Sequence, residues 1–387
     1  MFNRRHLRIK ALQAVYNYSQ NEKIAYNLGM DALDEFFAPD LNSMEVQNIP
    51  LLEKNKKEAK TIFSEQYKLE KLDFIANADI KKSIVVSKTI YLNYLKEESK
   101  RIKAALQADV DNVWFMYISV IKFLEDLSSH IAYVYEHNDQ KRMKSELNKS
   151  DFKLGYTEVF KEIHKVDEYV SFVNKHKFAW QDDDSLIKNF YRETLTKEEK
   201  YIEYLGLPTS NENDAAILLA ICKKLLWKNA QVKEFFEEQD GYWDVNFEIV
   251  TELLIKSFKK IKRGEGFELI HLSPNWDLDF EYMLNLYDKT IEFPDKLTER
   301  IKAKLTNWEL ERVSNVDKHI IELAVIEMIE CPSIPTKVTI NEFLEITKEY
   351  SAPKSKLYIN GILDSLAKDL IQDKIVRKSG KGLIDNK

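Results

Sequence analysis

The sequence contains little glycine, proline or cysteine, and each shortage restricts the fold. Its 387 residues include 9 glycines and 8 prolines, and no proline lies between Pro50 and Pro208. So long an interval without proline is hard to reconcile with a turn-rich β protein. The two cysteines, Cys222 and Cys331, lie far apart in apolar stretches, so no disulfide framework or zinc-binding spacing is present. The sequence therefore predicts an all-α protein.

Long hydrophobic runs are also absent. No stretch reaches the roughly 18 apolar residues of a membrane-spanning helix. The N-terminus carries positive charges, but Gln13, Asn17 and Ser19 interrupt the apolar core that a signal peptide would need. We therefore expect a cytoplasmic protein without a membrane partner.

Sequence signatures of catalysis are missing as well. The seven histidines form no HExxH motif, and no Gly-x-Ser-x-Gly occurs. The one glycine-rich stretch, at 379–382, precedes no predicted helix and lacks the P-loop pattern. We expect neither an enzyme nor a bound metal or cofactor.

The first predicted helix, at 3–18, has positive charge at an unusual end. Four cations occur there without an acidic residue: Arg4, Arg5, Arg8 and Lys10. A helix N-terminus already carries partial positive charge and prefers Asp or Glu. Apolar residues follow helical spacing on one face: Leu7, Ala11, Ala14, Val15 and Tyr18. Either the cations form an ordinary solvated face, or they contact phosphate.

The distribution of charge limits where a nucleic acid could bind. The net charge is −6, and residues 1–20 contribute +4, which leaves −10 for the remainder. A surface that is acidic overall repels a polyanion. Any contact with nucleic acid must therefore be local, and the basic first helix is the natural place for it.

The last third of the chain has the clearest helix signals. Apolar residues occupy nearly the whole circumference of 316–329, which predicts a central buried helix. Ser314 with Asp317 is typical of a capping box before it, and Thr339 with Glu342 suggests a second one.

Asn360 and Gly361 form a pair that usually marks a turn, but helical periodicity continues through it. Glycine inside a helix costs about 1 kcal/mol relative to alanine. We expect either close packing of another backbone against Gly361 or a local break in the helix.

Several of these segments resemble the NusB transcription antitermination family. The resemblance covers roughly 1–20 and 278–370. It rests on the following segments: Arg4-Arg5, Arg8, 11–16, 308–312, Val316-Asp317, Ala324, Glu327, Ile334-Pro335, Val338, 340–342, 346–348, Lys354-Ser355 and 359–364. The family is all-helical, and its members bind boxA RNA of nascent ribosomal RNA transcripts together with NusE, a small-subunit ribosomal protein. The heterodimer joins the elongating RNA polymerase.

The resemblance implies a set of binding residues. Those expected to contact RNA are Arg4, Arg5, His6, Arg8, Tyr16, Lys354, Ser355, Lys356 and Tyr358. His6 stands where another basic residue is common in the family. Tyr358 replaces the usual phenylalanine and could stack on an unpaired base. Glu327 matches the acidic position on the NusE-facing side.

About 255 residues separate the first helix from the remainder of the matching region. We therefore expect a NusB-like helical bundle split by a large, also helical, insertion. The predicted divisions are a discontinuous RNA-binding domain at 1–20 and 276–372, an insertion at 21–275, and a flexible basic tail at 373–387.

Two other functions stay open beside antitermination. The insertion could make the chain a protein-interaction scaffold with weakened RNA binding, although core packing explains its aromatic residues equally well. Alternatively, the NusB-like part could be a helper module for RNA modification. The sequence contains no glycine-rich βα unit and no catalytic cysteine motif to support that function.

Overall fold

The computed structural model describes residues 4–40, 42, 46–69, 72, 74–141, 148–178, 180, 185–305 and 313–386. The regular structure in these ranges is helical throughout, which confirms the all-α prediction. None of the helices described is long and apolar enough to cross a membrane. The segment 308–312, part of the family resemblance, lies outside the described residues.

The chain divides into two compact units. The terminal unit comprises 4–106 and 277–387, and the central unit comprises 107–276. Helix α3 contributes its first part to the terminal unit and its remainder to the central unit. The α-helices that belong mainly to the terminal unit, together with α3, are α1 (Arg4–Phe36), α2 (Ile49–Gln66), α3 (Ala78–Lys141), α12 (Trp276–Ile291), α13 (Asp295–Lys304), α14 (Asn315–Glu330), α15 (Thr336–Tyr350) and α16 (Ser355–Gln372).

The central unit consists of shorter helices around the second part of α3. They are α4 (Val159–Ile163), α5 (Asp167–Lys175), α6 (Ser185–Asn189), α7 (Glu199–Leu205), α8 (Asn211–Ala220), α9 (Leu226–Lys228), α10 (Ala230–Gln239) and α11 (Trp243–Lys262). The core contains many buried aromatic rings, including Tyr117, Trp180 and Trp243. These three insertion aromatics are therefore core residues.

Helix α1 is longer than the sequence pattern predicted. A first helix at 3–18 was expected, but one helix runs from Arg4 to Phe36. Its second half is held by packing, because Ala25 and Leu33 are fully buried in a core shared with α2 and α3. Gly29 belongs to this interface: a Cβ atom there would lie 2.4 Å from the Phe63 ring. Glycine at position 29 therefore allows α1 and α2 to pack closely, and it does not end the helix.

Helix α14 is the buried centre of the C-terminal helices, as predicted. It contacts α1, α15 and α16, and most of its residues are buried. The Ser314 hydroxyl accepts a hydrogen bond from the Asp317 backbone N–H at 3.1 Å, as a helix cap does. The second capping prediction was wrong: α15 already begins at Thr336, so Thr339 lies inside it, and its hydroxyl donates to Glu327.

Helix α16 passes through Asn360 and Gly361 without a break. A Cβ atom at Gly361 would meet no atom within 4 Å, so neither expected reason for glycine applies.

The segment after α16 packs against the end of α14, whereas the sequence suggested a flexible tail. Val376 is buried, and the Lys378 ammonium donates to the Met328 and Cys331 carbonyls at 2.8 and 3.1 Å. Because those carbonyls lie at the C-terminal end of α14, the positive charge is favourably placed. The Ser379 backbone N–H also donates to the Pro332 carbonyl at 3.0 Å.

Candidate nucleic-acid interface

The first turns of α1 are fixed by a buried ion pair. Arg8 donates two hydrogen bonds to Glu327 on α14, from Nε at 2.6 Å and from a terminal nitrogen at 2.8 Å. Arg8 is 2% exposed and Glu327 is fully buried. This two-point pairing joins positions 319 residues apart and sets the position of α1 on α14.

Glu327 is also the acceptor for two hydroxyl groups. Thr339 donates to it at 2.7 Å and Tyr282 at 2.5 Å. Burial by itself would lower the pKa of Arg8, but the hydrogen bonds and charge of Glu327 raise that pKa above its ordinary value. Burial, reinforced by the charge of Glu327, raises the pKa of Tyr282. Both groups therefore keep their protons at neutral pH.

This arrangement corrects two expectations about the surface. Arg8 was expected to contact RNA and Glu327 to face a protein partner, but both side chains are enclosed and bonded to each other. Lys10, another cation of the first helix, is buried as well. The positive charges of this helix are therefore only partly available to a ligand.

Arg4 and Arg5 lie nearer the solvent. The Arg4 guanidinium lies over the Tyr282 ring at 5.4 Å. Arg5 forms two hydrogen bonds with Glu342 of α15, at 2.9 and 3.2 Å, and its side chain is 37% exposed. The hydrogen bond to Glu342 raises the pKa of Arg5. His6 is half-buried.

Two lysines from later helices complete a group of cations around Arg5. Lys348 of α15 donates to both oxygens of Glu345, at 2.6 and 2.7 Å. Contact with the Lys348 ammonium lowers the pKa of Lys356, at the start of α16. Glu345 interacts electrostatically with Arg5, Lys348 and Lys356 alike. We call Arg5, Lys348 and Lys356 the basic cluster.

The basic cluster contains a like-charge contact. Two ammonium groups in contact repel each other, and the charge of Glu345 only partly offsets this repulsion at Lys356. An anion placed between the two lysines would relieve this repulsion, and a phosphate oxygen has the required charge and size.

The loop before α16 is held by Asp317 at the start of α14. Its carboxylate accepts hydrogen bonds from the hydroxyls of Ser351, Ser355 and Tyr358. Burial and the hydrogen bond to Asp317 raise the pKa of Tyr358. Ser355 is 4% exposed, so its hydroxyl serves the loop, in contrast to the expected contact with RNA.

The remaining expected residues lie on the surface. Lys354 is exposed and the Tyr358 ring is half-buried. Tyr16 is 41% exposed, and its ring meets His319 of α14 edge to face at a centroid distance of 6.5 Å. The structure thus joins Arg5 and Lys356 in one cluster, holds Tyr358 through Asp317, and places Tyr16 against His319.

Sequence reasoning missed Lys348 and Asp317. The 346–348 segment was recognised as family-like, but nothing in it indicated that residue 348 would meet residue 356. Asp317 was interpreted as a capping residue and as part of the family resemblance, without a role in holding the loop before α16. A weaker signal was present, since Ser355 and Tyr358 are three residues apart in α16 and therefore lie on one face of that helix.

Comparison with known proteins identifies the C-terminal part. A model of the NusB family matches residues 265–368. A protein of Clostridium botulinum strain Alaska E43 is 41% identical over 92 residues, which are 24% of this chain and 69% of that protein. One from strain Kyoto of the same species is 33% identical over 112 residues, 29% of this chain and 76% of its own length. Each is named transcription antitermination protein NusB.

Other relatives are covered less completely. The chain matches 50% of the Chloroherpeton thalassium protein of that name, at 34% identity over 105 residues, or 27% of this chain. It also matches 65% of the protein of that name from Salinibacter ruber. The two are 31% identical over 104 residues, which are 27% of this chain. No solved structure matches this chain. Since the clostridial proteins are matched over more than two thirds of their length at over 30% identity, the chain belongs to the NusB family.

Proposed function

We propose that this protein is a transcription antitermination factor that binds boxA-type RNA of nascent ribosomal RNA transcripts. It acts in the cytoplasm by contact and without catalysis, together with NusE and the elongating RNA polymerase. Family membership and the name shared by the relatives support the antitermination role.

The observation that carries the RNA-binding part of the proposal is the basic cluster. Arg5, Lys348 and Lys356 come from three helices and share one acidic neighbour, Glu345. Since the chain as a whole is net acidic, a local group of cations is what phosphate recognition requires. Arg4 and Lys354, both exposed, extend the positive surface.

Aromatic side chains would contact the RNA bases. Tyr16 and Tyr358 present partly exposed rings, and unpaired RNA bases stack on such rings. Arg8 contributes indirectly, because its pairing with Glu327 holds the helix that carries Arg5. NusE would bind another surface of the same unit, since Glu327 is enclosed.

The RNA-binding domain is proposed to be the discontinuous one at 1–20 and 276–372, with 21–275 as the insertion. The compact terminal unit is larger, because α2 and the first part of α3 also belong to it. These additional helices pack on the second half of α1 and would stabilise the helix whose first turn meets the RNA.

The test is binding of a fluorescently labelled boxA-type RNA by the full chain, with and without NusE. The Arg5→Ala, Lys356→Ala double variant is expected to weaken binding about tenfold or more at moderate salt, because two phosphate contacts are lost. Lys289→Ala serves as the matched control, since Lys289 is an exposed lysine at the end of α12. Equal affinity of wild type and double variant would refute the assignment.

A further inference from the structure

The central unit contains an open cleft of about 760 Å³. This volume lies in the range of pockets that hold small ligands, about 300–1,000 Å³. Its walls come from α3, from the end of α5 and from the segment before α12. The side chains that line it include Ala108, Asp111, Trp114, Phe172, Lys175, His176 and His271.

Aromatic rings form much of the wall and occur as stacked pairs. Trp114 and His271 are nearly parallel, with centroids 5.5 Å apart and an interplanar angle of 6°. Phe172 and His176 stack with centroids 4.0 Å apart. Trp114 and Phe172 are half-buried, in contrast to the core aromatics of this unit. Exposed faces of stacked rings favour a further flat ring as ligand.

Polar groups in the cleft suit a ligand that has both hydrogen-bond donors and acceptors. The His176 Nδ1 donates to the Phe172 carbonyl at 2.9 Å. Because a carbonyl can only accept, Nδ1 carries the proton, and Nε2 is the second polar atom of the ring. The Asp111 carboxylate is an acceptor, and the Lys175 ammonium is a donor with positive charge.

The charge of the central unit limits the size of the ligand. Residues 107–276 contain 30 Asp and Glu against 23 Lys and Arg, so a long polyphosphate chain would be repelled. The lining includes a single lysine, enough for one phosphate group. The flat ring must therefore supply most of the binding energy.

We propose that this cleft binds a nucleobase-bearing small ligand of nucleoside or mononucleotide size. The base stacks on the aromatic wall, its polar edge meets His176 and Asp111, and a phosphate reaches Lys175. This site lies within the central unit and does not depend on RNA binding by the basic cluster.

The experiment is calorimetric titration of the full chain with adenosine monophosphate and, separately, with ribose 5-phosphate, which lacks the base. We expect the nucleotide to bind and ribose 5-phosphate not to bind. Binding should change only modestly between 50 and 200 mM salt, because a single phosphate group meets a cation and salt screens only that one pair.

Two variants locate the site. Trp114→Ala removes one stacking surface and is expected to weaken nucleotide binding about tenfold. Ala108→Trp places a large side chain at an exposed position of the wall and is expected to abolish binding without removing a core contact. Tyr242→Ala is the control, since Tyr242 is an exposed aromatic of the same unit outside the cleft lining.

Three results would overturn the proposal. These are absence of nucleotide binding, equal binding of ribose 5-phosphate, and unchanged affinity in Ala108→Trp. The first of these results, together with tight, steeply salt-dependent binding of a single-stranded RNA to the cleft, would identify RNA as the ligand instead. A failure here leaves boxA binding by the terminal unit unaffected, because that binding is measured with variants of the basic cluster.

Discussion

At the scale of single residues, Arg5 and Arg8 have different roles although they lie one helical turn apart on α1. Each pairs with a glutamate more than 300 residues later in the chain, but only Arg8 and its partner are enclosed. An enclosed ion pair determines how helices dock, whereas a solvated one contributes little to stability and stays available to a ligand.

Replacing Arg8 should therefore affect folding, and replacing Arg5 should affect binding. Arg8→Ala leaves the Glu327 carboxylate buried with only hydroxyl donors, and we expect a loss of about 3–5 kcal/mol in the free energy of unfolding. Arg5→Ala should cost less than about 1 kcal/mol. Urea denaturation followed by circular dichroism measures both. Similar losses for the two variants would contradict the distinction.

A pH-dependent contribution to stability is expected at Glu125 in the central unit. Its carboxylate accepts from the Tyr169 hydroxyl at 2.6 Å and lies 2.9 Å from the His164 Nε2. Burial raises the pKa of Glu125, but these hydrogen bonds and the charge of Lys122 lower it below 4.5 overall. A lowered pKa in the folded state means that this stabilisation is present above about pH 4.5 and is lost as the pH falls further.

Glu125→Gln should remove this contribution. We expect the variant to be less stable than wild type at pH 7, with the difference shrinking between about pH 5 and pH 3. Urea denaturation at a series of pH values gives the comparison. A stability difference that stayed constant over that range would show that the ionisation of Glu125 is not its cause.

At the scale of helices, Gly29 and Gly361 differ although both lie inside long helices. The Gly29 position in α1 is closed by the Phe63 ring, whereas Gly361 in α16 faces open space. The sequence alone does not distinguish the two glycines. Whether an added methyl group clashes depends on the presence of a neighbouring helix.

The two Gly→Ala variants should have opposite signs. Gly361→Ala is expected to stabilise the protein by about 0.5–1 kcal/mol, because alanine is the better helix former and nothing obstructs its Cβ. Gly29→Ala is expected to destabilise it by about 1–2 kcal/mol, because the clash with Phe63 exceeds the gain in helix propensity. Thermal unfolding of both variants provides the measurement, and stabilisation by Gly29→Ala would contradict the packing of α1 on α2.

Helices were predicted correctly where apolar residues are densely spaced. The prediction failed where contacts with other helices determine how far a helix extends. The continuous apolar circumference of α14 made it predictable as a buried helix. The continuation of α1 to Phe36 was not predictable, because it depends on α2 and α3 covering Ala25 and Leu33. The second capping box failed because Thr339 has a partner, Glu327, on another helix.

At the scale of the whole molecule, the candidate site consists of residues from both ends of the chain. Arg5 and Lys356 were predicted from the resemblance to a family, whereas their neighbour Lys348 was found only in the structure. Spacing in sequence carries no information about contacts between α1 and α14, so the enclosure of Arg8 and Glu327 also escaped prediction. The aromatic residues of the insertion were ambiguous for the same reason: most are core, and a few line the cleft.

The central claim is that the basic cluster binds RNA, and Lys348 tests it most directly because family resemblance alone did not single it out. The measurement is the dissociation constant of labelled boxA-type RNA at several salt concentrations for wild type, Lys348→Ala and Lys289→Ala. We predict that Lys348→Ala weakens binding severalfold and reduces the slope of log affinity against log salt by about 0.7, as for one lost phosphate contact on a single strand. Lys289→Ala should match wild type. An unchanged affinity and slope for Lys348→Ala would contradict the claim.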